Sequence, residues 1–139
     1  MISRLLVAMD DSEMAEQALT YALEAFPDAD ITVLTVVGEP SQLVGQQSAI
    51  ALADDPETKA AEFAQPVFDR AREIAAAYET EVETRVDTGH APRCIIEHAE
   101  DFETVVIGSH SGTLSERLFV GNVAETVFQR APVPVIVVR

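Results

Sequence analysis

Small and polar residues near the end of the chain form a pattern that could bind phosphate. The apolar run Val105–Ile107 is followed by Gly108-Ser109-His110-Ser111-Gly112, and a second loop closes at Gly121-Asn122. Glycine lets a ligand approach the backbone closely. Asn122 precedes Glu125 by three residues, which predicts an N-cap with its capping-box partner, and amide groups at a helix start attract anions. A structural crossover loop explains the same residues equally well.

A second polar cluster, Asp10-Asp11-Ser12, follows the first apolar run of the chain. Ligands of open parallel sheets bind beyond the carboxyl ends of the strands. If the first and fourth strands are neighbours, Asp10 lies beside the glycine loop. The simpler interpretation is that Asp11 or Ser12 caps the following helix. Such a cap leaves a ligand role for Asp10 open.

These clusters must be positioned by an alternation of strands and helices. Apolar runs of strand length alternate with segments of helical periodicity, which predicts an open α/β sheet with five parallel strands and right-handed crossovers. The predicted strands are Arg4–Met9, Ile31–Val37, Glu81–Val86, Thr104–Ile107 and Val135–Val138. The predicted helices are Glu13–Phe26, Pro56–Glu79, Ala91–Glu100 and one that begins at Asn122. The third strand alternates between apolar and polar residues, so we expect it near a sheet edge.

Two features of the middle of the chain stand out. Pro66 falls inside the long second helix, so we expect a kink or a restarted helix there. Tyr78 shares the spacing of the apolar residues on the inner face of that helix. The preceding segment, Gly38–Asp55, has no sustained period apart from one helical turn near 49–52, and loops of this length in compact domains are usually functional or mobile.

Composition limits the classes of function. The 139 residues fit one domain, 1–139, and include 24 acidic and 9 basic residues, for a net charge of -15, with Lys59 the only lysine. Binding to nucleic acid is therefore disfavoured, because phosphate contacts need clustered basic residues. Such an acidic surface also suggests a halophilic protein, whose self-repulsion is screened by concentrated salt.

Neither a secretion signal nor a membrane span is expected. The first residues lack the features of a signal peptide, and no apolar stretch reaches transmembrane length, so we expect a soluble, cytoplasmic protein. Cys94 is the only cysteine and is expected in the core. The histidines match no recognised metal motif, and no Ser-His-acid set can be assigned. For His110 we expect a positional or solvent-facing role.

One family alternative is the receiver domain of response regulators. Asp10-Asp11, Asp87 and Ser109 occupy the places of its acidic pair, its phosphoacceptor and its hydroxyl residue. A receiver needs a lysine after its fifth strand and a further helix, whereas this sequence ends at Arg139. The receiver interpretation is therefore the weaker one.

Extended stretches of the chain resemble the universal stress protein family. The family's first strand and Asp-x-Ser turn are matched by LLVAMDDSEMAEQAL, its second strand by ITVLTVV, its glycine turn by Gly89 and its C-terminus by GNVAETVFQRAPVPVIVVR. Gly108 and Gly121 keep the family's spacing of thirteen residues. The resemblance implies a Rossmann-like sheet of strand order 3-2-1-4-5 with helices on both faces, and a homodimer paired through the final strand, Pro134–Val138.

The resemblance also implies a site for ATP. It places Asp10 and Val36 near the adenine and ribose, and Gly108, Ser109, Gly121 and Asn122 around the phosphates. The chain departs from the motif at Ser111, which stands where the second glycine belongs, with Gly112 displaced by one, and at Asn122, which replaces a serine or threonine. If position 111 needs a positive φ, serine there costs about 1 kcal/mol. Backbone donors, the helix start, Arg117 and Mg²⁺ would meet the phosphate charge.

Three functions follow as hypotheses. The first is a dimeric module that binds adenine nucleotide and regulates a stress response; it is not an enzyme. The second is a nucleotide-free scaffold for interaction or chaperone-like work, with the altered loop packed by side chains or water. The third is a slow phosphate-cleaving enzyme, disfavoured because the loop lacks a Walker-type lysine.

Overall fold

A computed structural model describes residues 2–38, 55–110 and 122–139. Its strands are β1 (Arg4–Ala8), β2 (Asp30–Val37), β3 (Glu83–Thr88), β4 (Thr104–Gly108) and β5 (Val135–Val138). Its helices are α1 (Glu13–Ala25), α2 (Pro56–Ala76), α3 (Ala91–Ala99) and α4 (Asn122–Arg130). The predicted alternation of strands and helices is confirmed. The predicted helical turn near 49–52 lies outside the described residues.

The five strands form one parallel sheet of order β3-β2-β1-β4-β5. β1 lies at the centre, where Leu6 pairs with Thr32 of β2 on one side and with Val105 of β4 on the other. The fold class and strand order expected from the sequence are confirmed, including the edge position of β3. In a receiver domain of order 2-1-3-4-5 the third strand would adjoin the first, so this topology excludes the receiver interpretation.

Both faces of the sheet are buried, because alternate residues of β1 enter two different cores. Leu5 and Val7 belong to a cluster with α1 and α2. Leu6 and Ala8 belong to a second cluster with α3 and α4. Side chains of a strand point alternately to opposite faces, so the nearly continuous apolar run of β1 is what a strand covered on both sides requires.

Alanine dominates the helical side of the first cluster. Leu19 of α1 is fully buried there. Small side chains let helices and sheet approach closely, and the cluster includes Ala15, Ala18, Ala22, Ala60, Ala64, Ala71 and Ala75. The few larger side chains of this core, such as Leu19, therefore fill the volume that the short alanine side chains leave between the helices and the sheet.

Two helix starts are capped by residues that the sequence identifies. Ser12 caps α1, since its Oγ accepts the backbone N–H of Ala15 at 3.2 Å. Asp55 caps α2, since its carboxylate accepts the N–H of Thr58 at 3.3 Å and the Thr58 hydroxyl at 2.6 Å. The start of α4 differs slightly from expectation, because Asn122 is the first helical residue and does not precede the helix as a cap.

The long helix α2 does not restart at Pro66 and ends earlier than predicted. It is continuous through Pro66, whose exposed position lets water meet the carbonyl that loses its amide partner. The alternative expectation, a kink, stays a prediction. The helix ends at Ala76, short of the predicted Glu79, which has a φ of 55°. Tyr78 therefore lies in the turn, 38% exposed, and its hydroxyl donates to Glu24 of α1 at 2.6 Å. β3 accordingly begins two residues later than predicted.

No helix within residues 2–38, 55–110 and 122–139 is long and apolar enough to cross a membrane.

The acidic surface leads to a prediction about salt. Acidic residues outnumber basic ones by 24 to 9, so ion pairs such as Arg70–Glu16 at 2.7 Å can neutralise only a minority of them. We expect molar KCl to raise the melting temperature by about 5 °C or more, as screened repulsion of roughly 1–2 kcal/mol would do in a chain of this size. The comparison is between thermal melts at low and molar KCl.

Acid provides the control for this prediction. The sequence pI is about 4.3, so at pH 5 the net charge is much smaller and the effect of KCl on the melting temperature should shrink. A melting temperature that stays constant between low and molar KCl at pH 7 would contradict the halophilic hypothesis.

Candidate functional site

The polar ends of β1 and β4 leave the sheet side by side. β1 and β4 are hydrogen-bonded neighbours with Ala8 opposite Ile107. Asp10 and Ser109 each lie two residues beyond this pair, at the carboxyl edge of the sheet. We expected Asp10 beside the glycine loop on the condition that the first and fourth strands are neighbours. That condition is confirmed.

Asp10 builds the turn that connects β1 to α1. It is half-buried, and its Oδ1 accepts the backbone N–H of Ser12 at 2.9 Å. Ser12 in turn caps α1. Asp10 therefore stabilises the turn, and Ser12 stabilises the start of the helix. The structural role expected for Asp11 or Ser12 falls to Ser12, and Asp11 is exposed.

Val36 reaches the same edge of the sheet from β2. It is partly buried against the second core cluster and pairs with Asp87 of β3. The backbone N–H of Met9 donates to the carbonyl of Leu34 at 2.9 Å, which continues the β1–β2 pairing up to Asp10. Asp10, just beyond β1, and Val36 of β2 therefore lie at the same edge of the sheet.

Gly108 is required by close packing on α1. A β-carbon at Gly108 would lie 2.7 Å from Cγ of Met14, 3.1 Å from its carbonyl oxygen and 3.2 Å from its carbonyl carbon. Contacts under 3.0 Å force a displacement, and here two of the three neighbouring atoms belong to the backbone. The first motif glycine thus has a structural reason that is independent of any ligand.

Ser109 and His110 are held by protein partners. Ser109 is 1% exposed, its N–H donates to the carbonyl of Val138 at 2.7 Å, and its Oγ lies 2.9 Å from Nδ1 of His110. His110 is 9% exposed. The solvent-facing alternative for His110 is therefore wrong, and its positional role stays a prediction. The N–H of Ser109 is engaged by β5, so it does not point at a phosphate.

The remaining predicted site residues are only partly described. Asn122 is exposed at the start of α4. Ser111, Gly112, Gly121 and Arg117 lie outside the described residues. Over the described part of the chain, no group of three His, Cys, Asp or Glu side chains could hold a metal ion.

A further polar cluster, which sequence reasoning did not identify as a unit, links β3 to α3. Nε2 of His98 lies 2.9 Å from Oδ2 of Asp87, and Nδ1 of His98 lies 3.3 Å from the guanidinium of Arg85. Burial alone would raise the pKa of Asp87, but the hydrogen bonds from His98 and the Thr88 backbone outweigh it and hold that pKa below its usual value. Arg85 and Asp87 are two residues apart and therefore share one face of β3, a sequence pattern that could have indicated this cluster.

Cys94, next to this cluster, is confirmed as a core residue. It is 1% exposed and its Sγ lies 3.4 Å from the carbonyl of Thr88. Burial, together with the negative charge of Asp87, raises the pKa of the Cys94 thiol to about 11. At neutral pH the reactive thiolate is therefore negligible.

The fold has known counterparts. The model of the universal stress protein family matches residues 1–139, and the chain belongs to that family. A universal stress protein of Staphylococcus aureus (strain USA300) is 30% identical over 143 residues, which cover 97% of this chain and 82% of that protein.

Two solved structures with the same fold are complexes with nucleotides. One is a universal stress protein in complex with cAMP, with a TM-score of 0.70, 23% identity and coverage of 99% of this chain and 97% of that one. The other is the universal stress protein from Archaeoglobus fulgidus in complex with dAMP, with a TM-score of 0.66, 22% identity and coverage of 100% and 98%.

Proposed function

We propose that this universal stress protein is a regulatory module that binds an adenine nucleotide, with ATP as the first candidate, at the carboxyl edge of β1, β2 and β4. The single observation that carries the proposal is the pairing of Ala8 with Ile107, because it brings Asp10 and the start of the glycine loop together. The cAMP and dAMP of the two similar proteins support an adenine nucleotide over other ligands.

The side chains at this edge suit the sugar better than the phosphates. Oδ1 of Asp10 holds the turn to Ser12, and Oδ2 would accept a ribose hydroxyl. Val36 supplies apolar surface for a base. Phosphates would depend on the start of α4 at Asn122 and on the loop residues Ser111, Gly112 and Gly121, since the N–H of Ser109 is already used. With few basic groups nearby, Mg²⁺ would supply countercharge for ATP.

The proposed module is a homodimer paired through β5. β5 lies at the sheet edge, and all four of its residues are only partly buried. Phe128 on the neighbouring α4 is 64% exposed. An edge strand with free hydrogen-bonding groups beside apolar surface favours pairing with a second copy. A bound nucleotide could then act as a signal read by partners of the dimer.

Calorimetry tests nucleotide binding. We expect ATP to bind in molar KCl with a dissociation constant in the micromolar range, and Asp10→Ala to weaken it by about tenfold or more, because a hydrogen bond to a charged group contributes about 1.5–3 kcal/mol. Titrations with ATP, ADP and AMP identify the preferred nucleotide. Absence of both heat and thermal shift at millimolar nucleotide would rule out the proposal.

Asp11→Ala is the matched control. It removes the same charge from the neighbouring residue, which is exposed, so it reproduces any long-range electrostatic effect of Asp10→Ala. We expect its affinity to stay within about twofold of the wild type. Equal weakening by both variants would mean that Asp10 makes no direct contact with the nucleotide.

A nucleotide-free scaffold is the second candidate. The observation in its favour is that Ser109, at the motif's second position, has both its N–H and its hydroxyl engaged within the protein. A site whose donors are already satisfied binds phosphate weakly. The same calorimetry decides between the two, because the scaffold predicts no heat with any of the three nucleotides.

A further inference from the structure

His98 joins the edge strand β3 to α3 through both of its ring nitrogens. Nε2 lies 2.9 Å from Oδ2 of Asp87, and Nδ1 lies 3.3 Å from Nη1 of Arg85. The His98 side chain is 22% exposed and the Asp87 side chain 33%, so both are partly accessible to water. Arg85 also pairs with Asp101 at 3.1 Å and lies over the ring of Phe102, 5.0 Å from its centroid.

These partners fix the state of the imidazole ring. An arginine guanidinium only donates hydrogen bonds, and an ionised carboxylate only accepts them. Nδ1 facing Arg85 must therefore be the unprotonated acceptor, and Nε2 must carry the proton that is donated to Asp87. The two contacts together are those expected of a neutral His98 in its Nε2–H form.

Protonation of Nδ1 is incompatible with the contact to Arg85. It would put an N–H donor opposite an N–H donor and bring two positive charges to 3.3 Å. The bond from Nε2 to Asp87 would gain charge, since an imidazolium facing a carboxylate makes a stronger, charge-assisted hydrogen bond. The two hydrogen bonds of His98 therefore respond to acid in opposite directions.

The charged groups around His98 come from three places. From β3 they are Arg85 and Asp87, with Glu83 exposed further along the same face. β2 contributes no titratable side chain opposite them, because Thr32, Leu34 and Val36 do not titrate and Asp30, on the same face, is exposed at the start of the strand. On α3 and in the turn after it they are Cys94, Glu97 and Asp101, of which Glu97 is paired with Arg93 at 3.5 Å. α4, also packed against α3, carries Glu125 and Arg130, both exposed.

We propose that His98 is a pH-responsive link between β3 and α3. At neutral pH it accepts from Arg85 and donates to Asp87. On protonation it keeps Asp87 and releases Arg85, which retains Asp101 as its partner. The link between edge strand and helix thus loses one of its two hydrogen bonds when His98 is protonated. This inference does not depend on nucleotide binding.

Nuclear magnetic resonance of the labelled full chain tests the proposal. At pH 8 the two-bond nitrogen–proton correlations of His98 should report the Nε2–H tautomer. Between pH 8 and pH 5 the side-chain resonances of Arg85 should shift with the same midpoint as the His98 ring. Hydrogen exchange of the Arg85 guanidinium protons, corrected for the intrinsic rate, should rise by about threefold as their contact with Nδ1 is lost.

His98→Gln provides the matched control. Glutamine offers one acceptor and one donor at every pH, so it can bridge Arg85 and Asp87 without titrating. In this variant the Arg85 resonances and the corrected exchange of its guanidinium protons should not change between pH 8 and pH 5. A change that persists would come from His90 or His110, which the variant retains. An Nδ1–H tautomer at pH 8 would overturn the proposal. So would Arg85 resonances that stay constant while those of the His98 ring shift.

Discussion

Replacing Gly108 with alanine is expected to destabilise the fold by about 1–3 kcal/mol, the usual effect of inserting a carbon into filled space. The new β-carbon would lie 2.7 Å from Cγ of Met14 and 3.1 Å from its carbonyl oxygen. The side chain can rotate away, but the carbonyl belongs to the first turn of α1. That turn would have to shift, together with the Asp10–Ser12 turn before it. Urea unfolding in molar KCl measures the loss.

A double-mutant cycle separates the two contacts. Met14→Ala removes Cγ and leaves the carbonyl in place, so Gly108→Ala should cost less in that background, by about 0.5–1 kcal/mol. Only part of the loss should be recovered, because the carbonyl contact remains. If Gly108→Ala were neutral in the wild type, the close approach of β4 to α1 would not limit the residue at this position.

Leu19→Ala is expected to cost about 3–5 kcal/mol, in the upper part of the range for buried leucine. Leu19 is fully buried in the cluster between the sheet and the helices α1 and α2. Most helical members of that cluster are alanines, which have no flexible side chain to move into the space; the larger ones are Leu23, Val67 and Phe68. The cavity therefore stays open, and the loss is a large share of a total stability of about 5–15 kcal/mol.

The controls for Leu19→Ala lie at the same position and on the same helix. Leu19→Met conserves volume and should cost less than about 1.5 kcal/mol. Tyr21→Ala changes a residue that is 43% exposed and should stay within about 0.5 kcal/mol of the wild type. Urea unfolding in molar KCl compares all three. A Leu19→Ala loss as small as that of Tyr21→Ala would mean that this core collapses around the missing side chain.

The sheet was predictable because local signals agreed with one another. β1, β2 and β4 are continuous apolar runs, and strands buried on both faces need that composition. Ser12 and Asp55 stand at helix starts as capping residues usually do. The order of the strands came from the family resemblance, because nothing in the spacing of apolar runs states which strand lies beside which.

The predictions that failed concern the surroundings of single residues in the folded chain. Tyr78 has the spacing of an inner-face residue, but α2 ends before it and its hydroxyl reaches Glu24 of α1. His110 occupies a polar loop sequence, yet it is buried beside Ser109. His98, Asp87 and Arg85 are up to 13 residues apart, and only the pairing of β3 with α3 brings them together. Periodicity describes single elements and carries no information on such pairs.

The central position of β1 affects how the chain folds. β1 begins at Arg4, but its partner β4 begins at Thr104, and the Ser3–Glu103 hydrogen bonds that close this pairing join residues 100 positions apart. Contacts of such sequence separation raise contact order and slow folding. During synthesis, β1 can pair early with β2, while its other edge waits for β4. β1 is thus made about 100 residues before β4 and is fully enclosed only once β4 has joined it.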